Sequence, residues 1–161
     1  MQPATTIRNW QFEQMRRSLK IIGNLIAITP LADLTTYRDG GKGWTVLEVV
    51  AHLCDFEGIF FDRARVTVDQ DTPDLFVPNA DDRAKEYRYG QQDLQQTLDA
   101  WTQRREDFIT YLQGLPEDAW ERPSNHPIRG RMTLQDQLLL TTWHDNNHIE
   151  QIMHVLAEKK F

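Results

Sequence analysis

The chain has one cysteine, Cys54, so no disulfide can form within it, and a reducing, cytoplasmic setting is expected. It lacks any run near the ~18 consecutive apolar residues that a membrane span requires. It also lacks excess positive charge: 18 Lys and Arg against 24 Asp and Glu leave a net charge of −6. That balance argues against general affinity for nucleic-acid phosphates or acidic membranes. The opening "MQPATTIRNWQFEQMRRSLK" has no uninterrupted apolar core of the signal-peptide kind. Useful β-alternation, repeats and low-complexity tracts are missing too. What remains is a water-soluble domain over residues 1–161, long enough to bury one core.

Helical periodicity is abundant. Trp10, Met15, Leu19, Ile22 and Ile26 recur at three- and four-residue steps, predicting a helix over about residues 6–28 that Pro30 ends. After the glycine-rich "DGGKG", Thr45 and Glu48 form a capping-box signature. It opens a second helix that runs to about residue 68 through Val49, Leu53, Phe56 and Phe60. Residues 69–81 read as a loop whose Phe76 is expected to pack back on the body, followed by a short helical piece, "DDRAKEYRY". A third long helix is predicted over about residues 91–113. The segment "GLPEDAWERPSNHPIRG" is irregular, and Thr133 with Asp136 caps a fourth helix reaching about residue 158. Helices of this length, ~30 to 40 Å, pack side by side, so the expected fold is all-α: a four-helix bundle with long irregular connections.

Histidine is scarce, with five in 161 residues, yet three fall within "TTWHDNNHIEQIMHVL". His144 and His148 are four residues apart, about 40° on the helix surface, so both imidazoles can reach one cation from adjacent turns. The spacing is that of the zincin motif, but Asp145 replaces its glutamate and the downstream third ligand of metzincins is missing. A third ligand is needed, and His52 is the best candidate, on the inward stripe of helix two between Val49 and Phe56. A single histidine on an apolar face is ordinarily satisfied by a carbonyl; three on two neighbouring helices point to a metal. His126, beside Pro127, is expected at the surface or in a loop hydrogen bond, and His154 is rotated about 240° from His148 and reads as structural. Cys54 faces away from His52 as a small buried apolar group. Asp55 either holds a ligand imidazole from outside, acts as a base near the metal, or faces solvent. Glu57 and Arg63 sit well round the helix from each other and need not touch.

The combination "WTVLEVVAHLCDFE" with "HPIRGRMTLQDQLLLTTWHDNNHIEQI" resembles the DinB/YfiT superfamily of metal-dependent enzymes over roughly residues 44–153. The early helix-two histidine, the "HPxxG" with "TL", and the late "HDxxH" followed by "QI" carry the likeness. The resemblance implies a four-helix bundle with one divalent metal (zinc, nickel, iron or manganese) on His52, His144 and His148. It also implies a homodimer, and relatives that include thiol-dependent transferases and isomerases.

Three protein ligands with room for water mark a reactive site, whereas closed structural zinc has four. Transfer of a low-molecular-weight thiol to a small-molecule electrophile is the leading expectation, with Arg63, Arg65, Arg129 and Arg131 as candidate grips for the thiol's carboxylates. A metal-dependent hydrolase, with Asp55 or Asp145 carrying protons, is the alternative. A non-catalytic metal-binding or interaction module is the third reading. Phe56, Phe60 and Phe61 serve the bundle core, a substrate pocket or a dimer interface.

Overall fold

The computed structural model describes residues 3–161; Met1 and Gln2 of the expected domain lie outside the described residues. The helices are α1 (Pro3–Ile28), α2 (Leu31–Thr36), α3 (Val46–Asp69), α4 (Ala80–Glu86), α5 (Leu94–Gln113) and α6 (Leu134–Glu158). Between α5 and α6 runs a hairpin of β1 (Pro123–His126) and β2 (Gly130–Thr133), which pair antiparallel. The predominantly helical class and the four long helices agree with the sequence reading, and both capping boxes form, Thr45 with Glu48 and Thr133 with Asp136.

Two elements depart from it. Helix α2 was not expected: Pro30 cannot continue α1, but its fixed φ suits the cap of a new helix that starts at Leu31. The hairpin falls where only irregular chain was foreseen. Its four-residue strands are too short for alternation to register, and it is held by local chemistry: His126 Nδ1 accepts the backbone N–H of Ile128 and of Arg129, both at 3.2 Å. Gly130 takes φ +77° to close the turn, which favours glycine there. His126 thus makes the loop hydrogen bonds anticipated, but it is buried rather than at the surface.

Helix α1 packs on α5 and α6, and α3 packs on the same two from the opposite side, so α1 and α3 lie across a diagonal. One end of the core joins Phe12 and Met15 of α1, Phe60 and Ala64 of α3, Phe108 and Leu112 of α5, and Leu134 and Leu138 of α6. The other joins Ile22 of α1, Val46 to Leu53 of α3, Leu94 and Trp101 of α5, and Ile152 and Val155 of α6. Therefore α1 and α6 run in one direction and α3 and α5 in the other. The connection 70–79 crosses outside the bundle and is pinned to the hairpin through Leu75 N–H to Asn125 O, 2.8 Å. Leu75 is the residue that enters the core, at 4% exposure, while Phe76 stays 66% exposed, contrary to expectation. Adjacent side chains on extended backbone face opposite ways, so only one of the two can be buried.

Between the two apolar clusters lies a charged layer. Arg105 of α5 is fully buried and uses all five of its N–H donors. Nε and Nη2 bind Glu57 of α3 at 2.8 and 2.6 Å, Nη1 and Nη2 bind Asp145 of α6 at 2.6 and 3.1 Å, and Nη1 also donates to Met15 O of α1 at 2.8 Å. One side chain thereby ties all four long helices together. Burial opposes its charge, but the two carboxylates outweigh that and push its pKa up; burial pushes the Glu57 carboxyl up.

Candidate metal centre

The capping box at Thr45 fixes where α3 begins and puts His52 about two turns in, on the inward face. Antiparallel α6 brings His144 and His148 opposite it. His52 Nε2 lies 3.0 Å from His144 Nε2, and His148 Nε2 lies 3.2 Å from the same atom. All three nitrogens fall within 4.8 Å of one another, and no carboxylate or thiol among the described residues joins them.

These contacts do not make sense as hydrogen bonds alone. His144 Nε2 offers one proton or one lone pair, so it cannot serve two ring nitrogens well at once. Two nitrogens bound to one ion at ~2.0–2.1 Å, at ~90–109° between bonds, stand about 2.9–3.4 Å apart. The observed spacings fall inside that interval, so the three imidazoles fit a divalent cation.

Protonation state agrees. Burial and the neighbouring His148 bring His52 down to about 3, against the opposing pull of Asp55. Burial with His148 and His52 holds His144 well below the ordinary imidazole range, and burial also lowers His148 against the opposing hydrogen bond from Gln151. At neutral pH the rings are uncharged and have lone pairs to give.

The outer nitrogens are treated unequally. His148 Nδ1 donates to Gln151 Oε1 at 2.8 Å, and Gln151 Nε2 donates to Asp39 Oδ2 at 2.9 Å. A carboxylate accepts only, which fixes the amide's orientation and therefore the tautomer of His148. His52 Nδ1 and His144 Nδ1 are buried without a hydrogen-bond partner. Rings hold these two instead: Trp44 and Phe56 lie 4.9 and 4.1 Å from His52, and Phe60 meets His144 edge-on at 5.0 Å.

The structure brings together the three histidines and sets both candidate proton carriers apart from them. Asp145 faces Arg105 as described. Asp55 accepts from Arg83 Nε and Nη2 at 2.5 and 2.6 Å and from Tyr89 Oη at 2.5 Å. Burial works against its charge, but these donors prevail and lower its pKa. His154 is exposed, Cys54 is buried with its thiol pushed up by burial, and Glu57 pairs with Arg105 rather than Arg63. The sequence reading gave no role at the site to Gln151, Asp39, Trp44, Tyr89, Arg83 or Arg105, although Trp44 and Gln151 fall in the motifs that carry the family likeness. Signals existed for two: Gln151 lies three residues after His148, on its face, and Arg105 interrupts the apolar series Trp101, Phe108, Leu112 of α5.

Fold and site define a helical bundle with a cluster of histidines suited to metal. The family model of the DinB superfamily matches residues 11–152, and the chain belongs to that superfamily. It is 24% identical over 125 residues, 78% of the chain and 71% of the relative, to a protein of Oceanobacillus iheyensis named "putative metal-dependent hydrolase". YfiT of Bacillus subtilis, which shares that name, is 29% identical over 126 residues, covering 73% of the chain and 66% of YfiT. The solved structure of YfiT, a four-helix bundle of unusual topology, superposes with a TM-score of 0.85 at 22% identity, over 94% of this chain and 87% of that one. A mycothiol-dependent maleylpyruvate isomerase superposes with a TM-score of 0.74 at 11% identity, over 94% of this chain but only 63% of the isomerase.

Proposed function

We propose that His52, His144 and His148 hold one divalent cation through Nε2, and that the protein is an enzyme joining a low-molecular-weight thiol to a small-molecule electrophile. The carrying observation is the convergence of three neutral imidazole nitrogens at 3.0 and 3.2 Å with no fourth ligand among the described residues. A cation held this way keeps open positions and lowers the pKa of a bound thiol or water, supplying a nucleophile at neutral pH.

The chain's own residues do the rest. Gln151 and Asp39 hold the His148 ring so that its Nε2 lone pair faces inward. Trp44, Phe56 and Phe60 fix the other two rings and keep water from their flanks. Asp55 and Asp145 act as positioning groups, because their oxygens are already taken by Arg83, Tyr89 and Arg105. The lack of a free carboxylate beside the histidines among the described residues favours thiol chemistry over hydrolysis: ionising a thiol needs little help beyond the cation, whereas attack by water gains more from a general base. Hydrolysis is the second reading, supported by the names of the curated relatives. Leu139 and Trp143, exposed one turn apart on α6, support the homodimer that the family likeness implies.

The test begins with metal content in protein purified without a histidine tag: one ion per chain is expected, lost in His52→Ala and His144→Ala. Metal-loaded protein is then given an electrophile with glutathione, mycothiol or bacillithiol, and separately an ester without thiol. Acceleration by one thiol supports transfer, and ester turnover without thiol replaces it with hydrolysis. Unchanged metal content in both variants removes the site.

A further inference from the structure

The loop over residues 37–44 carries Asp39, which holds Gln151 and through it the His148 ring. Its own bonds fix its shape. Arg38 and Thr45 form an antiparallel bridge, Asp39 N–H donates to Trp44 O at 3.0 Å, and Gly43 N–H donates to Asp39 O at 2.8 Å. Thr45 caps α3, so these bonds tie the loop to α3. They do not tie it to α6, the helix that bears His144 and His148. Among the described residues, two hydrogen bonds join the loop to α6 and the residues just beyond it. One is Gln151 Nε2 to Asp39 Oδ2 at 2.9 Å, and the other is Arg38 N–H to Lys160 O at 2.8 Å.

The second bond depends on a sharp turn after α6. Lys159 takes φ +49° and ψ +47°, the left-handed region that side chains disfavour, and this sends the chain back across residues 37–41. Such a conformation persists where the surroundings over-determine it. Here Lys159 Nζ lies 3.4 Å from Asp33 Oδ2 and 5.7 Å from the centre of the Tyr37 ring. The Phe161 ring meets Tyr37 at 5.0 Å between centroids, but it stays 78% exposed and adds little burial. The close fit is made by backbone. A Cβ on Gly41, at φ +82°, would stand 3.1 Å from Phe161 O, so glycine leaves the room in which residues 160–161 settle on the loop.

We infer that residues 159–161 are positioning residues of the metal centre: Lys160 O holds the Asp39 loop against α6, and Asp39 through Gln151 keeps His148 Nε2 ready to bind. Arg38 and Asp39 are adjacent, so fixing the N–H of one limits where the carboxylate of the other can stand. Were the loop to swing away, the Gln151 amide would lose the acceptor that sets its orientation. A flipped amide presents Nε2 to His148 Nδ1, which must then accept, and the ring proton moves to Nε2. That is the nitrogen a cation needs unprotonated. This role deepens the metal reading above and rests on it only for the ion's affinity, since the tautomer is set without an ion.

Lys159→Val and Lys159→Gly test it as a pair. Both remove the charge, but only glycine tolerates the left-handed turn, so valine alone should release Lys160 O. Zinc is the probe ion, competed against a chromophoric chelator, and the His148 tautomer is read from ring nitrogen NMR shifts of metal-free protein at neutral pH. Wild type and Lys159→Gly are expected to share one Nδ1–H tautomer and one zinc affinity. Lys159→Val is expected to show mixed tautomers and about fivefold weaker zinc binding. In Gln151→Leu, where the relay is already cut, Lys159→Val should add no further loss of zinc. Should Lys159→Val fail to fold, Lys160→Pro takes its place, because a proline drives the residue before it toward extended backbone. Wild-type tautomer and affinity in the valine variant overturn the inference, as does equal impairment by valine and glycine. An equal zinc loss with and without Gln151 overturns it as well, marking general loosening instead. If wild type takes up no zinc, the metal reading fails, while the tautomer comparison still decides the role of residues 159–161.

Discussion

His148 and Gln151 are joined by a 2.8 Å hydrogen bond from ring Nδ1 to amide Oε1, and this bond decides which imidazole nitrogen faces His52 and His144. Gln151 is itself held by Asp39, which sits in the turn made by Gly40 and Gly41 at φ +58° and +82°. A loop far away in sequence therefore sets the tautomer of a ring on α6. Replacing Gln151 with leucine is expected to weaken metal affinity by about 10- to 100-fold with the fold retained. Competition against a chromophoric chelator reads it out, and an unaltered affinity refutes the role.

Arg105→Met leaves Glu57 and Asp145 buried without their counter-ion. A loss of roughly 3–5 kcal/mol in unfolding free energy is expected by urea titration. Exchanging all three groups for apolar or amide side chains of similar size should cost far less, because no charge is left stranded. Equal losses in the two proteins would show that packing, not charge, accounts for the effect.

The histidines make the metal-free protein sensitive to acid. Their folded pKa values are lowered, His52 from 6.5 to about 3, so the unfolded chain binds protons that the folded chain refuses. Their stabilising contribution is complete above pH 6.5 and is lost as pH falls toward the folded values. His52 alone accounts for about 2 kcal/mol between pH 7.5 and pH 5. Melting in chelator across that range should show Tm falling with pH, and less steeply in His52→Phe.

Tyr89→Phe removes the hydroxyl that donates to Asp55 but keeps the ring near Trp44 and His52. A loss of about 1 kcal/mol is expected, with metal content unchanged. Asp55→Asn disturbs Arg83 as well and is expected to cost more stability than Tyr89→Phe. If Asp55 were instead the proton carrier, Asp55→Asn would remove turnover at unchanged KM without lowering Tm, and that pattern refutes the positioning role.

The long helices were legible because each carries an apolar stripe at 3.6-residue spacing and two have capping boxes written in four residues. The histidine cluster was legible for a similar reason, since His144 and His148 share a face by spacing and His52 interrupts an apolar stripe. Residues acting across elements were not. Arg105 interrupts the apolar stripe of α5, but nothing in its spacing names Glu57 and Asp145 as its partners, and nothing local to Asp145 shows that it faces a guanidinium from another helix. The hairpin escaped notice because four-residue strands are too short to show a period.

The sequence by itself determined the helical class, where the long helices begin, and that His144 and His148 share a helix face, because these follow from spacing along one chain. Only the tertiary structure decided that α1 and α3 lie across a diagonal, that Asp55 and Asp145 are consumed by arginines, and that Leu75 rather than Phe76 enters the core. Each depends on which groups from distant segments meet in a low-dielectric interior. There a charge must find a partner, and no periodicity encodes that partner.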